Sequence, residues 1–158
     1  MAINPDLIQL AGRLLTEDSK ALEAALLEAA ELLDLRSRSL QTGIPSVLAD
    51  QESRSFLSSR LRECIDRDPV RPMAATAIWV LGKLYDKSLE SYLVTLALNF
   101  LDKDHLSSHL HQTIIALDNL GLFSEQEFMR SQSDLSAMRK LMIDYINKGD
   151  PGSVPGRQ

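Results

Sequence analysis

The stretch that decides the fold is DRDPVRPMAATAIWVLGKLYD, residues 66–86. It opens with a polar break that ends in Pro69 and continues as a run whose apolar residues recur at helical spacing. At about 100° per residue, one wide face of this helix collects Met73, Ala74, Ala77, Ile78, Val80, Leu81 and Leu84. Trp79 points nearly opposite. The stretch therefore predicts a turn followed by a helix over 70–85 with a single core face.

The same pattern returns 36 residues further along the chain. A shift of 36 lays 56–68 over 92–104 and 77–84 over 113–120, so the register is kept for 29 residues without a gap. In the first pair of segments, 56–68 and 92–104, an aromatic residue aligns with an aromatic residue and Leu aligns with Leu. Both of these segments end in Asp-basic-Asp. A two-helix unit that repeats at this period is typical of an α-solenoid.

Residues 66–86 closely resemble a HEAT repeat, whose pattern is an Asp-x-Asp-Pro turn, Val-Arg, small residues and then Leu-Gly-x-Leu-x-Asp. Pro72 is a mild departure inside the first helical turn, where proline is tolerated. The resemblance is clearest over 66–121, and the repeat from Asp102 is the weaker one. It implies an all-α fold, a short right-handed α-solenoid of about three HEAT-like helical hairpins with an N-terminal capping helix, in a single domain over 1–148. Such a resemblance fixes the fold and not the activity.

Helical patterns fill the rest of the chain, and no run shows the period of two that is typical of a half-buried strand. We expect helices from Asn4 to about Leu15, from Lys20 to about Arg36, and near 53–67, 88–103, 105–121, 124–131 and 134–148. Residues 37–50, which include Ile44, form an insertion that either packs down, with a short helix at 46–50, or contacts a partner. We expect the tail 149–158 to be flexible.

Composition is that of an ordinary soluble domain, with 158 residues, 44% hydrophobic and 25% charged. The single cysteine, Cys64, excludes an internal disulfide and favours a reducing compartment. No apolar run approaches the length of about 18 residues needed for a membrane span, and no basic, apolar leader opens the chain. We therefore expect a cytoplasmic protein that does not bind a membrane.

The net charge of −5 is unevenly spread. Residues 1–34 carry seven acidic against two basic residues, whereas residues 35–72 carry seven arginines against five acidic residues. Nucleic-acid binding needs a concentrated basic stripe. Here the basic residues are interleaved with acidic ones, as in the i,i+4 pairs Arg62–Asp66 and Glu63–Arg67. The pattern predicts a solvated helix face and disfavours a nucleic-acid partner.

Two residues lie outside the core faces of their own helices at matching positions of the repeat, namely Trp79 and Ile115. They are predicted to form one apolar strip on the convex side, which either contacts a partner or is covered by the N-terminal helix or the tail. A mutation at Trp79 separates these two interpretations, since a covered indole contributes to stability and a partner contact does not.

The helix over 88–103 is predicted to bury Leu89, Tyr92, Leu93, Leu96, Ala97 and Phe100. Its opposite face carries Ser91, Val94, Thr95, Leu98 and Asp102. The HEAT resemblance implies that this face lines the concave side, which is the usual binding surface of the family. The matching face of the helix over 53–67 carries Ser55, Ser58, Ser59, Arg62 and Asp66. This face is either solvated, which is the more common case, or a binding surface, and the apolar residues Val94 and Leu98 strengthen the second interpretation.

Catalytic and metal-binding patterns are weak. His105 and His109 have i,i+4 spacing, with His111 nearby, but no second cluster of ligands accompanies them. His109 and Cys64 fall on core positions of the repeat. Since no nucleophile motif or phosphate loop appears either, we expect no enzyme activity, no metal and no cofactor.

The function that these features favour is binding to another protein. A small acidic cytoplasmic domain of this kind is similar in size, charge and fold to immunity proteins, the antitoxins that neutralise a bacterial toxin domain. The alternative is a HEAT-like enzyme subunit or chaperone of the bilin-lyase type, or a DNA-repair HEAT protein. The partner at the apolar strip could also be a second copy of the chain, so a homodimer is a further alternative.

Overall fold

Eight α-helices account for most of the chain that the computed structural model describes, which is residues 3–43 and 46–149. In chain order they are α1 Pro5–Arg13, α2 Ser19–Thr42, α3 Gln51–Arg67, α4 Pro72–Gly82, α5 Glu90–Phe100, α6 Ser107–Asn119, α7 Glu125–Ser131 and α8 Leu135–Gly149. No described residue lies in a β-strand, which confirms the all-α class.

The helices divide into two units, Met1–Asp86 and Lys87–Gln158. In the first unit, α1 and α4 each pack against both α2 and α3. In the second unit, α5 packs against α6, and α8 packs against α6 and α7. The single domain predicted over 1–148 stays a prediction. Of the tail predicted over 149–158, residues 150–158 lie outside the described residues.

α1 begins at a side-chain cap. Asn4 Oδ1 accepts a hydrogen bond from the backbone N–H of Asp6 at 2.8 Å, and Pro5 occupies the first helical position, where a missing N–H breaks no helical bond. The helix buries Leu7, Leu10 and Ala11. The predicted N-terminal helix is confirmed, with its last residue at Arg13 rather than Leu15.

The second helix is longer than the sequence predicts, because α2 continues past Arg36 to Thr42. It ends before Gly43, whose φ of 77° lies in the left-handed region that favours glycine after a helix. The prediction of a loop beginning at residue 37 is therefore wrong for its first six residues, which are helical.

The rest of the insertion packs down partly, and the short helix predicted at 46–50 is wrong because a turn lies there. Leu48 is fully buried. The Arg54 guanidinium donates hydrogen bonds to the carbonyl oxygens of Leu48 at 3.1 Å and Ala49 at 2.6 Å, which ties this turn to α3. Ile44, the candidate contact residue of the insertion, lies outside the described residues.

The core of the first unit follows the predicted face of α4 closely. Six of the seven predicted residues are buried, namely Ala74, Ala77, Ile78, Val80, Leu81 and Leu84. Met73, the seventh, is only half-buried because it lies in the first turn of a helix that begins at Pro72 rather than at residue 70. Cys64 on α3 is buried as predicted.

In the second unit, the 36-residue shift assigns to α6 a core face that matches the one predicted for the helix over 70–85, and every residue of that face is buried. Its buried residues are His109, Leu110, Thr113, Ile114, Ala116, Leu117 and Leu120. The His109 ring lies 5.3 Å from that of buried Phe100 on α5, with the planes tilted by 60°. On α5 the prediction is wrong for Tyr92 alone, which is half-buried.

Candidate functional site

The outward face of α5 carries the residues that the sequence analysis singled out in the second unit. Leu98 is 47% exposed, and Val94, one helical turn earlier, is half-buried. Thr95 is exposed, and its hydroxyl donates to the carbonyl oxygen of Ser91 at 2.9 Å. Since residues four apart on a helix are neighbours, these side chains form one small surface with an apolar centre. We call it the α5 face.

Contacts at both ends hold α5 in place. At its first residue, the Tyr145 hydroxyl of α8 donates a hydrogen bond to the Glu90 carboxylate. Burial, followed by this hydrogen bond and the negative charge of Glu90, raises the pKa of Tyr145 to about 12. The ring of Phe123 meets the Tyr145 ring edge-on, with centroids 5.5 Å apart. The phenol therefore stays protonated at neutral pH and keeps donating to Glu90.

At its other end, α5 is tied to α8 through Arg139. The Arg139 guanidinium donates to the carbonyl oxygen of Leu101 at 2.6 Å and to the Asp104 carboxylate at 2.5 Å. Asp102 points into solvent with 85% of its side chain exposed, and its carboxylate lies 3.4 Å from the Lys103 ammonium. With both ends fixed, the α5 face is presented by a rigid element, which suits a binding surface.

Trp79 in the first unit is half-buried rather than fully outward-facing. The Lys83 ammonium lies 5.0 Å from the centroid of the indole ring, and it also forms an ion pair with Asp34 of α2 at 2.8 Å. A cation–π contact of this kind covers one face of the ring. Ile115, in the second unit, is half-buried as well. The strip that joins these two residues stays a prediction.

The predicted polar face of α3 is only partly as expected. Asp66 is exposed and Arg62 half-buried, and both make polar or electrostatic contacts within the chain. Ser58 is 3% exposed, so its assignment to the outward face is wrong. The error arises because the face was taken from the alignment with α5, whereas α3 packs against both α1 and α4.

Several exposed apolar residues were missed by sequence reasoning. On α2 they are Leu27, 54% exposed, and Leu35, 42% exposed, and on α7 it is Met129, 64% exposed. The helical wheel of α2 carried the signal, since Leu27 and Leu35 fall outside the stripe of Leu22, Leu26 and Leu33, all of which are buried.

The side chains weighed above for metal binding or nucleophilic chemistry are the three histidines and Cys64. His109 is buried, His105 is exposed, and His111 Nε2 lies 2.7 Å from Gln132 Oε1. Burial raises the pKa of the Cys64 thiol, and the positive charge of the neighbouring Arg71 guanidinium offsets only part of this increase. Within the described part of the chain, no three His, Cys, Asp or Glu side chains are grouped so as to hold a metal ion.

Shallow grooves run beside α8 in the second unit. One of about 230 Å³ is lined by Arg130, Lys140 and Asp144, and one of about 160 Å³ by Phe123 and Tyr145. A third, of about 240 Å³, lies at the start of α6. Sites for small molecules usually measure about 300–1,000 Å³. These grooves are smaller, and charged side chains line the first of them.

Comparison of the chain with known protein families, with curated proteins and with solved structures finds no match. Among the described residues, no helix combines the length and the apolar character needed to span a bilayer. The physical features of the two units therefore carry the functional argument.

Proposed function

We propose that the chain is a non-catalytic protein-binding domain of the immunity or antitoxin type, which binds and neutralises a bacterial toxin domain in the cytoplasm. In this proposal the helices form a short right-handed α-solenoid of HEAT-like hairpins, and the α5 face contacts the toxin. The single observation that carries it is Leu98, which is 47% exposed on a helix fixed at both ends.

The exposure of Leu98 is built into the fold. The opposite side of α5 buries Leu93, Leu96, Ala97 and Phe100, so rotating the helix to hide Leu98 would expose these residues instead. Exposed apolar centres with a polar rim are typical of protein contacts. Exposed Thr95 is the polar neighbour here, and Val94 extends the apolar centre along the helix.

Charge supports a basic partner. The chain carries a net charge of −5, and Asp102, two residues after the end of α5, has an exposed carboxylate. Toxin domains that act on nucleic acids need basic surfaces to bind phosphate. Complementary charge mainly accelerates and orients docking, so the net negative charge of the chain suits rapid capture of such a domain.

The arginines of the first unit favour this proposal over DNA binding. Arg60 pairs with Glu63 at 3.2 Å, Arg71 donates to the carbonyl oxygen of Cys64 at 2.9 Å, and Arg67 donates to that of Leu15. Arg54 is bound to the turn at 48–49. These cations are already held by the chain's own oxygens, and the small grooves of the second unit offer little room for a bilin-sized ligand.

The test is affinity capture from an extract of the source cells with three forms of the chain, wild type, Leu98→Lys and Met129→Lys. Met129→Lys is the matched control because Met129 is an exposed apolar residue of the same unit. A buried lysine at a contact centre leaves an unpaired charge, so we expect at least about tenfold less partner with Leu98→Lys and no loss with the control.

The captured protein must then behave as a toxin. Expressed alone in a bacterium it should arrest growth, and co-expression of the wild-type chain should restore growth where Leu98→Lys does not. Equal capture by all three forms would overturn the α5 face as the contact, and a captured protein without toxicity would overturn the immunity assignment. Duplex-DNA binding by the purified chain at about 0.15 M salt would favour the DNA-repair alternative.

A further inference from the structure

The outward side of α2 in the first unit is a second exposed apolar surface, with a different chemistry. Leu27 is 54% exposed, and the exposed residues Glu23 and Glu31 lie four positions before and after it. Leu35, 42% exposed, lies eight residues further, or about 12 Å along the helix axis. We call the surface formed by Glu23, Leu27, Glu31 and Leu35 the α2 face.

The two glutamates of the α2 face differ from their acidic neighbours. Glu28 pairs with Arg13 of α1 at 2.5 Å, and Asp34 pairs with Lys83, directly after α4, at 2.8 Å. Glu23 and Glu31 have no ion-pair or hydrogen-bond partner among residues 3–43 and 46–149. The nearest exposed cations on the same side of α2 are Lys20 and Arg38, seven and eleven residues from Leu27. The carboxylates beside Leu27 are therefore available to a partner.

Packing fixes the α2 face toward solvent. Among the described side chains of α2, the other side buries six apolar residues, namely Leu22, Ala25, Leu26, Ala29, Ala30 and Leu33. α2 also packs against α1 and α4, and two ion pairs accompany this packing, from Glu28 to Arg13 and from Asp34 to Lys83. Leu27 and Leu35 thus stay exposed to solvent in the folded unit. Burying either side chain against a partner would be favourable, because it removes apolar surface from water.

We propose that the α2 face docks a basic amphipathic helix of a partner protein, with leucine-like residues against Leu27 and Leu35 and lysine or arginine side chains against Glu23 and Glu31. Charge selects this occupant over a second copy of the chain. A symmetric dimer through the same patch would bring the same carboxylates together, which is unfavourable. The proposal concerns the first unit and does not depend on the α5 face.

The test uses a synthetic helical peptide of about five turns, with two leucines eight positions apart and lysines four positions before and after the first leucine. A control peptide keeps the leucines and replaces each lysine by glutamate. Fluorescence anisotropy with the full chain gives the dissociation constant of each peptide at low salt and at about 0.3 M salt, where screening weakens exposed charge pairs.

We expect the lysine peptide to bind and the glutamate peptide to bind at least about tenfold more weakly, because like charges oppose docking. Leu27→Ala should weaken binding of the lysine peptide by about tenfold, the loss usual for a central apolar contact. Glu31→Gln should weaken it by about threefold and reduce its salt dependence, since it removes one charge and keeps the shape. Met129→Ala is the control and should leave the constant unchanged.

Circular dichroism of each variant tests whether the fold is kept. We expect it to be kept, because the side chains of Leu27 and Glu31 are both exposed. The proposal is overturned if the two peptides bind equally, if neither binds, or if Leu27→Ala and Glu31→Gln leave the dissociation constant of the lysine peptide unchanged. Loss of peptide binding with the α2 variants, alongside unchanged capture through the α5 face, would show that the two surfaces act separately.

Discussion

The two helices that the 36-residue repeat aligns, α4 and α6, end in the same backbone conformation with different residues. Tyr85 follows α4 with a φ of 51°, and Gly121, at the aligned position, follows α6 with a φ of 78°. Their N–H groups donate to equivalent carbonyls, Gly82 O at 3.3 Å and Asp118 O at 2.9 Å. The left-handed region suits glycine and is strained for tyrosine. The first unit therefore retains strain and a ring that is 56% exposed.

The cores of the two units can be compared in the same way, and here aligned positions carry side chains of different size. Cys64 on α3 aligns with Phe100 on α5, and both are buried. Met73 aligns with His109, but only His109 is fully covered, since the Phe100 ring lies against it. At the pair Cys64 and Phe100 the repeat keeps an inward-facing position and fills it with side chains of different size, whereas at the pair Met73 and His109 the burial itself differs.

The largest effect is expected at the aligned core pair. Phe100→Ala removes a buried aromatic ring and should lower the free energy of unfolding by about 3–5 kcal/mol. Cys64→Ala removes one small buried atom at the aligned position and should cost about 1 kcal/mol. Urea unfolding of both variants measures the difference. Equal losses would contradict the assignment of Phe100 as the larger core residue of the repeat.

The helix ends come next. Gly121→Ala places a side chain in the left-handed region and should destabilise the fold by about 1–2 kcal/mol. No atom lies within 4 Å of the added Cβ, so the cost is conformational. Tyr85→Gly should instead stabilise by about 0.5–1 kcal/mol, because relief of strain outweighs the greater freedom of the unfolded chain. Changes of the same sign in thermal melts of the two variants would contradict the comparison.

A smaller effect is expected at the start of α3. Asp50 accepts hydrogen bonds from the Ser53 N–H at 3.0 Å and from its hydroxyl at 2.8 Å, and these bonds lower the pKa of Asp50. Leu89, before α5, has no side-chain cap. The stabilising effect of Asp50 is full above its unfolded pKa and is lost as the pH falls through the lowered folded value.

Asp50→Asn and Asp50→Ala measure that cap. Asn keeps an acceptor and loses the titration, whereas Ala loses both, so the contribution of Asp50 to the pH dependence should disappear in both variants and stability at neutral pH should fall more with Ala. Melts between pH 2 and pH 7, taken as about the range of carboxylate titration, test this. If the stability difference between wild type and Asp50→Ala were as large at the lowest pH as at neutral pH, the proposed role of the Asp50 carboxylate as a cap would be contradicted.

The smallest effect is spectroscopic. Because the pKa of Tyr145 is raised to about 12, its phenol should ionise about two pH units above the ordinary value for tyrosine. The folded-state pKa exceeds the unfolded value of about 10, so the stabilising effect is full below the unfolded pKa and is lost as the pH rises through about 12. Absorbance of the phenolate follows the step, and Tyr145→Phe should abolish it. A late step that survives this substitution would contradict the contact with Glu90.

Much of this fold follows from the sequence, because helical periodicity alone selects the buried residues of α6 and all but one of those on α4. The errors have tertiary causes. Ser58 is buried by helices on two sides of α3, and α2 runs on to Thr42 because only Gly43 ends it. Trp79 is partly covered by Lys83, whose ammonium also pairs with Asp34, 49 residues earlier in the chain. A contact over such a distance cannot be predicted from a local sequence pattern.

The contact role of Leu98 is tested most directly by site-specific cross-linking. The single native cysteine is fully buried and its thiol pKa is raised, so a thiol-reactive photo-crosslinker should label an introduced surface cysteine selectively. Leu98→Cys, labelled and irradiated in an extract of the source cells, should give a cross-linked product with the protein that wild type captures, and Met129→Cys should not. Products of equal yield from both positions, or none from Leu98→Cys, would contradict a protein-binding role for the α5 face.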